Sequence, residues 1–284
     1  MNLTDIEAVR LLLTRHGFSF SKSLGQNFLI AGWVPERVAE ESGIGAENGV
    51  LEIGPGIGCL TAQLAKHAAK VVSVELDKTL KHVLAETLAD YSNVEIIYGD
   101  ILRQNIPELV KDKFSGLRPA VCANLPYNVT TPVLTALIES GCFDSITVMV
   151  QREVARRICA REGTEDYGAF TVFVQWYCGT ELLFDVSPDC FVPQPKVTSS
   201  VIRLTRRQTP LCKVADEELL FKIVRGAFNQ RRKTLVNALS ASFGNMTKSE
   251  ISELVTNCGF DEKIRGERLS ISDFCVLTNE FGKK

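Results

Sequence analysis

The rhythm of apolar and polar positions changes near residues 205–211. Before that point, short apolar runs alternate with segments whose apolar residues recur at helical spacing. This is the pattern of strands joined by crossover helices. Gly49-Val50-Leu51-Glu52-Ile53 reads as a buried strand. It runs into Gly54-Pro55-Gly56-Ile57-Gly58 and then into a helical stretch, Leu60-Thr61-Ala62-Gln63-Leu64-Ala65. A second strand, Val71-Val72-Ser73-Val74, ends on Glu75, and a third, Val94-Glu95-Ile96-Ile97-Tyr98, ends at Gly99-Asp100. A fourth, Val121-Cys122-Ala123, ends at Asn124. Residues 180–186 and 197–204 read as the last two strands. Their connection carries Pro188, Pro193 and Pro195 and is too short for a packed crossover helix, so an antiparallel arrangement is expected. After residue 211 the spacing is helical throughout. Asp216 opens one helix, Thr247 caps another, and Ser270 or Ser272 a third. Residues 4–15 are also helical in pattern and lead into a polar, aromatic-containing loop over 17–29. The expected fold class is α/β, a mostly parallel sheet over residues 1–207 with a smaller all-α domain over 208–284.

Composition narrows the class. The chain has 284 residues, enough for one α/β domain and a smaller partner. Its nine cysteines are an odd number and include no Cys-x-x-Cys pair. That counts against a disulfide framework or a zinc site and favours a reducing compartment, so a cytoplasmic protein is expected. Cys122 and Cys178 lie inside apolar runs and read as small core residues. No apolar run is long enough to span a bilayer, and Met1-Asn2-Leu3-Thr4-Asp5 lacks the basic and apolar regions of a signal peptide. There is no internal repeat or low-complexity tract. His16, His67 and His82 are scattered without ligand spacing, and no metal is expected.

The net charge of −2 does not by itself suggest a nucleic-acid binder. Its distribution is more informative. Residues 205–284 hold 14 Lys and Arg against 10 Asp and Glu, and the rest of the chain holds 18 against 24. The most pointed cluster is Arg225, Arg231, Arg232 and Lys233 with Phe228 among them, a patch able to neutralise phosphates. A solvated helix face has the same composition.

Candidate ligand groups stand at the carboxyl ends of successive strands, where open α/β sheets bind ligands. Glycines at the first strand-to-helix turn allow close backbone approach, and Glu75 is placed to accept from ribose hydroxyls. The spacing Gly54-x-Gly56-x-Gly58 differs from the dinucleotide fingerprint, whose third glycine falls at Cys59. A site for S-adenosylmethionine, which has no phosphate, therefore fits better than a pyrophosphate cradle. Asn124-Leu125-Pro126-Tyr127 resembles the catalytic tetrapeptide of enzymes that methylate an exocyclic amine. The N6 lone pair of adenine is delocalised into the ring, so the amine must be held in line with an electrophilic methyl. The Asn124 side-chain oxygen and the Leu125 carbonyl can both accept from it. Pro126 biases Leu125 toward an extended backbone. Tyr127 offers a face for an extruded base, a task that needs its ring and not its hydroxyl. An ordinary strand-ending turn uses the same residue types.

The set of motifs resembles the rRNA adenine N6-dimethyltransferase family. Lys22-Ser23-Leu24-Gly25-Gln26-Asn27-Phe28-Leu29 is similar to its N-terminal cofactor motif. Leu51 to Gly58 and Asn124 to Tyr127 are similar to the next two. Phe191-Val192-Pro193-Gln194-Pro195-Lys196-Val197-Thr198-Ser199-Ser200 and Phe228-Asn229-Gln230-Arg231-Arg232-Lys233-Thr234-Leu235 follow in the family's order. The tail and Leu125 lean toward the branch acting on small-subunit (16S) rRNA, whereas macrolide-resistance methylases more often carry Ile after the catalytic Asn. The resemblance implies a class I methyltransferase, a Rossmann-like, seven-stranded, mostly parallel sheet with a helical C-terminal RNA-binding domain. It also implies dimethylation of N6 on two adjacent adenosines near the 3′ end of 16S rRNA, in the 30S subunit or its precursor, by a monomer. Asn27 and Leu29 are then expected to close over S-adenosylmethionine, Gly54 to lie against its methionine part, Glu75 to hold the ribose and Asp100 the adenine amine. Asn124 is expected to serve cofactor and target amine alike. Tyr127 and Phe191 are expected to sandwich the flipped base, and Arg231, Arg232 and Lys233 to contact RNA. The competing expectations are a large-subunit rRNA adenine methylase of the macrolide-resistance type, a non-catalytic RNA-binding assembly or transcription factor on the same fold, and an NAD-dependent oxidoreductase.

Overall fold

A computed structural model of the protein describes residues 3–18 and 25–283. Residues 19–24, which carry Lys22, Ser23 and Leu24 of the N-terminal motif, lie outside the described residues. The strands are β1 (Phe28–Leu29), β2 (Asn48–Ile53), β3 (Lys70–Glu75), β4 (Val94–Tyr98), β5 (Arg118–Asn124), β6 (Ser145–Gln151), β7 (Cys178–Val186), β8 (Phe191–Val192) and β9 (Ser199–Arg206). The helices are α1 (Ile6–Arg15), α2 (Trp33–Glu41), α3 (Cys59–His67), α4 (Lys81–Thr87), α5 (Ile106–Lys113), α6 (Thr130–Ser140), α7 (Arg152–Ile158), α8 (Ala169–Tyr177), α9 (Glu217–Asn229), α10 (Leu235–Ser242), α11 (Lys248–Asn257) and α12 (Ile271–Phe281).

Seven strands form one sheet in the order β4-β3-β2-β5-β6-β9-β7. The neighbours from β4 through β6 pair parallel, and β9 runs antiparallel to β6. The short β1 and β8 pair antiparallel in a separate ladder. Every residue of β2 is buried, as a strand covered on both faces requires. Helix α1 begins at Ile6 because the Asp5 side chain accepts from the amides of Glu7 and Ala8, which leaves Thr4 outside it. Among the described residues, no helix is long and apolar enough to cross a membrane.

The chain divides into two compact units. One is built from residues up to Ala155 together with Thr180–Arg206, the other from Arg156–Gly179 and residues from Arg207 on. Residues 156–179 therefore fall on the other side of the boundary drawn from the sequence at 207. The reason lies in α8, whose apolar residues ring the helix. Val172 and Trp176 join the second unit's core with Leu220, Leu239 and Phe274. The Phe173 and Tyr177 rings pack on Phe221 of α9 at centroid distances of 5.6 and 6.0 Å. A helical pattern between two strands reads as a crossover until its packing partner is known.

Asp216, Thr247 and Ser270 cap α9, α11 and α12, and the last two form reciprocal capping boxes with Glu250 and Asp273. Cys212 and Cys275 are joined by a disulfide, a single pair that the cysteine count and spacing did not suggest. The two are 63 residues apart in sequence, and packing of the second unit brings them together. Cys122 and Cys178 are buried free thiols.

Candidate active site

Strand order makes the site before any side chain is considered. Strands β3 and β4 lie to one side of β2, and β5 and β6 to the other. Connections leaving β2 and β5 therefore diverge, and a crevice opens at their carboxyl ends. It holds a cavity of about 230 Å³, lined by Asn27, Leu29, Gly54, Glu75, Asp100, Asn124, Leu125, Pro126 and Tyr127 among others. These residues span a hundred positions of sequence and meet in one place.

The turn after β2 needs glycine. Gly54 and Gly56 have φ of 69° and 60°, the left-handed region that side chains disfavour. A Cβ on Gly56 would stand 3.1 Å from the Phe28 ring, and one on Gly54 would stand 3.9 Å from Pro126. The glycine turn and the tetrapeptide are thus neighbours.

Glu75, 6 % exposed at the end of β3, accepts from the amides of Gly56 at 3.2 Å and Asp77 at 2.7 Å. Burial raises its pKa, and these amides offset part of the rise. Gln26 donates to Asp77 at 2.7 Å, which ties the segment before β1 to the loop after β3. Burial pushes the Asp77 carboxyl up, but hydrogen bonds from Thr79 and Gln26 outweigh it and hold the group below its usual range. Asp100 caps a short 3-10 turn, accepting from the Leu102 amide at 3.0 Å. Leu76 and Leu102 line the cavity beside these acids while 53 % and 42 % exposed.

The tetrapeptide is held by its backbone. The Leu125 amide donates to the Met149 carbonyl at 3.1 Å. The Pro126 carbonyl accepts from the Val129 amide and the Thr130 hydroxyl, both at 3.2 Å, where α6 starts. Asn124 Nδ2 donates to the Asn27 carbonyl at 3.4 Å, which leaves Oδ1 as the acceptor. Tyr127 is half-buried, and its hydroxyl meets Ser199 Oγ at 2.6 Å.

Two sequence-level assignments meet a different geometry. Phe191 is 2 % exposed, pairs with Leu29 in the β1–β8 ladder, and is a core residue that does not line the cavity. Its ring is packed in the first unit's core and is not available to a base in this conformation. Arg231 donates to the carbonyls of Glu165 at 2.6 Å and Tyr167 at 3.1 Å, so its guanidinium is engaged within the second unit. Arg232 and Lys233 are exposed.

The sequence reading missed Glu52, Gln26, Asp77 and Ser199. An acid inside an otherwise apolar strand was the available signal for Glu52. It is 1 % exposed, lines the cavity, and accepts from Thr61 and Ser73 hydroxyls at 2.7 and 2.6 Å. Among the described lining residues, the charged ones are Glu52, Glu75 and Asp100, with no Lys, Arg or His. That acceptor set suits hydroxyls, an amine and a positive charge. S-adenosylmethionine fits it.

Residues 17–283 match the family model described as ribosomal RNA adenine dimethylase. The chain is 47 % identical over 272 residues to the ribosomal RNA small subunit methyltransferase A of Bacillus cytotoxicus, covering 94 % of this chain and 93 % of that one. It is 45 % identical to the Alkaliphilus metalliredigens protein of the same name, covering 95 % of each. Among solved structures, a dimethyladenosine transferase from Plasmodium falciparum is similar at a TM-score of 0.75 and 25 % identity, over 90 % of this chain and 98 % of that one. The 23S rRNA methyltransferase ErmE is similar at a TM-score of 0.69 and 26 % identity, over 90 % and 99 %. The fold is that of the Rossmann-like methyltransferases, a mostly parallel seven-stranded sheet with a helical C-terminal region.

Proposed function

The chain belongs to the ribosomal RNA adenine dimethylase family, and from that premise we propose how its cavity is used. The protein is an enzyme that methylates rRNA adenine, placing two methyls on N6 of each of two adjacent adenosines in a hairpin loop near the 3′ end of 16S rRNA. The methyl donor is S-adenosylmethionine, whose sulfonium supplies an activated methyl for in-line displacement. Glu75 accepts from the ribose hydroxyls and Asp100 from the adenine amine, with Leu76 and Leu102 against the faces of that base. Gly54 lies along the methionine part, and Asn27 and Leu29 cover it.

Asn124 Oδ1 and the Leu125 carbonyl accept from the target amine and favour the transition state as positive charge develops on nitrogen. Positioning supplies much of the rate, and the proton leaves a cationic, acidic nitrogen after transfer, so no strong base is needed. The singly methylated amine keeps one N–H, so one of the two acceptors loses its partner in the second round. Tyr127 stacks on the extruded base. Arg232 and Lys233 neutralise RNA phosphates from the second unit. The substrate is the small subunit or its precursor in the cytoplasm, met by a monomer working without a metal.

The observation that carries this reading is the convergence of Asn124, Leu125 and Tyr127 with Asn27, Gly54, Glu75 and Asp100 in one cavity. Methylation of unmodified 30S subunits with labelled cofactor, followed by mapping, tests it. Label on two adjacent adenosines of 16S rRNA is expected. In a parallel reaction with large subunits, label on 23S rRNA and none on 30S would instead assign the macrolide-resistance activity.

A further inference from the structure

Of the three acids that line the cavity among the described residues, Glu75 and Asp100 have partners on the cofactor in the reading above, and Glu52 has none. It is nonetheless the most buried of them, on β2 two residues before Gly54. Both hydroxyl donors, Thr61 and Ser73, reach the same oxygen, Oε2. They fix the carboxylate's orientation and support its charge.

We propose that Glu52 makes the cavity selective for the positively charged sulfonium cofactor over the neutral thioether that remains after transfer. The two molecules differ by one methyl and one charge, so shape separates them poorly. A carboxylate as buried as Glu52 separates them by its field, which acts on the charge alone. The ammonium and carboxylate of the methionine part are common to both and cancel. The residues facing Glu52 leave this role to the ligand. Glu75 on β3 adds negative charge, and burial pushes the thiol of Cys59 on α3 up to about 12 and that of Cys122 on β5 well above its usual value. None of these groups balances an anion. Burial, opposed by the Ser73 and Thr61 hydroxyls, holds Glu52 at about 7. A sulfonium therefore binds best to the ionised form, and a neutral thioether sulfur gains nothing from it.

The proposal rests on S-adenosylmethionine being the cofactor, and calorimetry distinguishes the two claims. Wild type and Glu52→Gln are titrated with S-adenosylmethionine, with S-adenosylhomocysteine, and with sinefungin, which carries an amine in place of the methylated sulfur. For wild type, preference for the two cationic ligands should rise as pH is raised through about 7. In Glu52→Gln that preference should fall about tenfold or more and lose its pH dependence, with thioether affinity little changed. Equal weakening of all three ligands, or an unchanged preference, overturns the proposal. If Glu52→Gln does not fold, a preference in wild type that is flat across pH overturns it equally. No binding of any ligand to wild type would sink the cofactor reading and this proposal with it.

Discussion

The Tyr127 hydroxyl and Ser199 Oγ lie 2.6 Å apart, joining the loop after β5 to the first residue of β9. Ser199 is 0 % exposed and stands opposite Gln151 of β6, so it is fixed by the sheet. The hydroxyl of Tyr127 is then what sets the plane of the ring, and stacking depends on more than the ring alone. Tyr127→Phe and Ser199→Ala should each slow single-turnover methylation by roughly 2–12-fold, the value of one hydrogen bond of about 0.5–1.5 kcal/mol. The double variant should be no slower than either single one, because both remove the same contact. Additive losses would separate the two residues, and Tyr127→Ala, which removes the platform, should be far worse.

Asn124→Ala removes the side-chain acceptor proposed for the target amine and the bond to the Asn27 carbonyl. A lost transition-state contact of this kind is worth about 2.7–4 kcal/mol, or roughly 10²–10³ in rate. Single-turnover methylation at saturating cofactor is the informative measurement, since Asn124 also lines the cofactor cavity. A rate near wild type would remove Asn124 from the chemistry.

The strand ends were legible because each apolar run stops at a residue that can hold a ligand, and Glu75, Asp100 and Asn124 fall there. The caps at Asp216, Thr247 and Ser270 were legible because capping is a local interaction between residues three apart. What could not be read depends on contacts between distant segments. The membership of α8 in the second unit follows from Phe221, more than forty positions on. The burial of Phe191 follows from its pairing with Leu29. The Gln26–Asp77, Tyr127–Ser199 and Cys212–Cys275 pairs each join residues at least 51 positions apart. The aromatic character of Phe191 suggested stacking, and only the packed core shows that the ring is buried.

Glu52 predicts a pH dependence of stability in the absence of cofactor. Its pKa rises from 4.5 to about 7 on folding, mainly through burial. Between those values the unfolded chain has released the proton and the folded chain still holds it. Stability should therefore fall as pH rises from about 4.5 to about 7 and stay lower above it, by an amount on the order of 3 kcal/mol. Glu52→Gln should flatten this part of the curve and raise the melting temperature above neutral pH. Denaturant unfolding of both proteins across that range checks it, and parallel curves would show that Glu52 does not bear the charge cost.

Arg231, Arg232 and Lys233 are adjacent in sequence and should separate in experiment. Arg231 gives hydrogen bonds to the Glu165 and Tyr167 carbonyls, and its Nε lies 3.9 Å from Glu267. Its side chain is 45 % exposed, so water screens part of this, and Arg231→Ala should destabilise the protein by about 1 kcal/mol. The guanidinium is directed at carbonyls of its own chain and has less to offer a phosphate, so RNA affinity should change little at a temperature where the variant is folded. Among the described residues, the side chains of Arg232 and Lys233 have no such partners to lose. Their joint replacement by Ala should leave the melting temperature unchanged and flatten the salt dependence of RNA binding, by up to about 0.7–0.9 log units per phosphate contact removed. Binding to 30S subunits across a salt series, paired with thermal melts of each variant, reads both effects. If Arg231→Ala alone flattens the salt slope while the melt is unmoved, the guanidinium leaves its carbonyls to bind RNA, and the division drawn here between structural and RNA-facing cations fails.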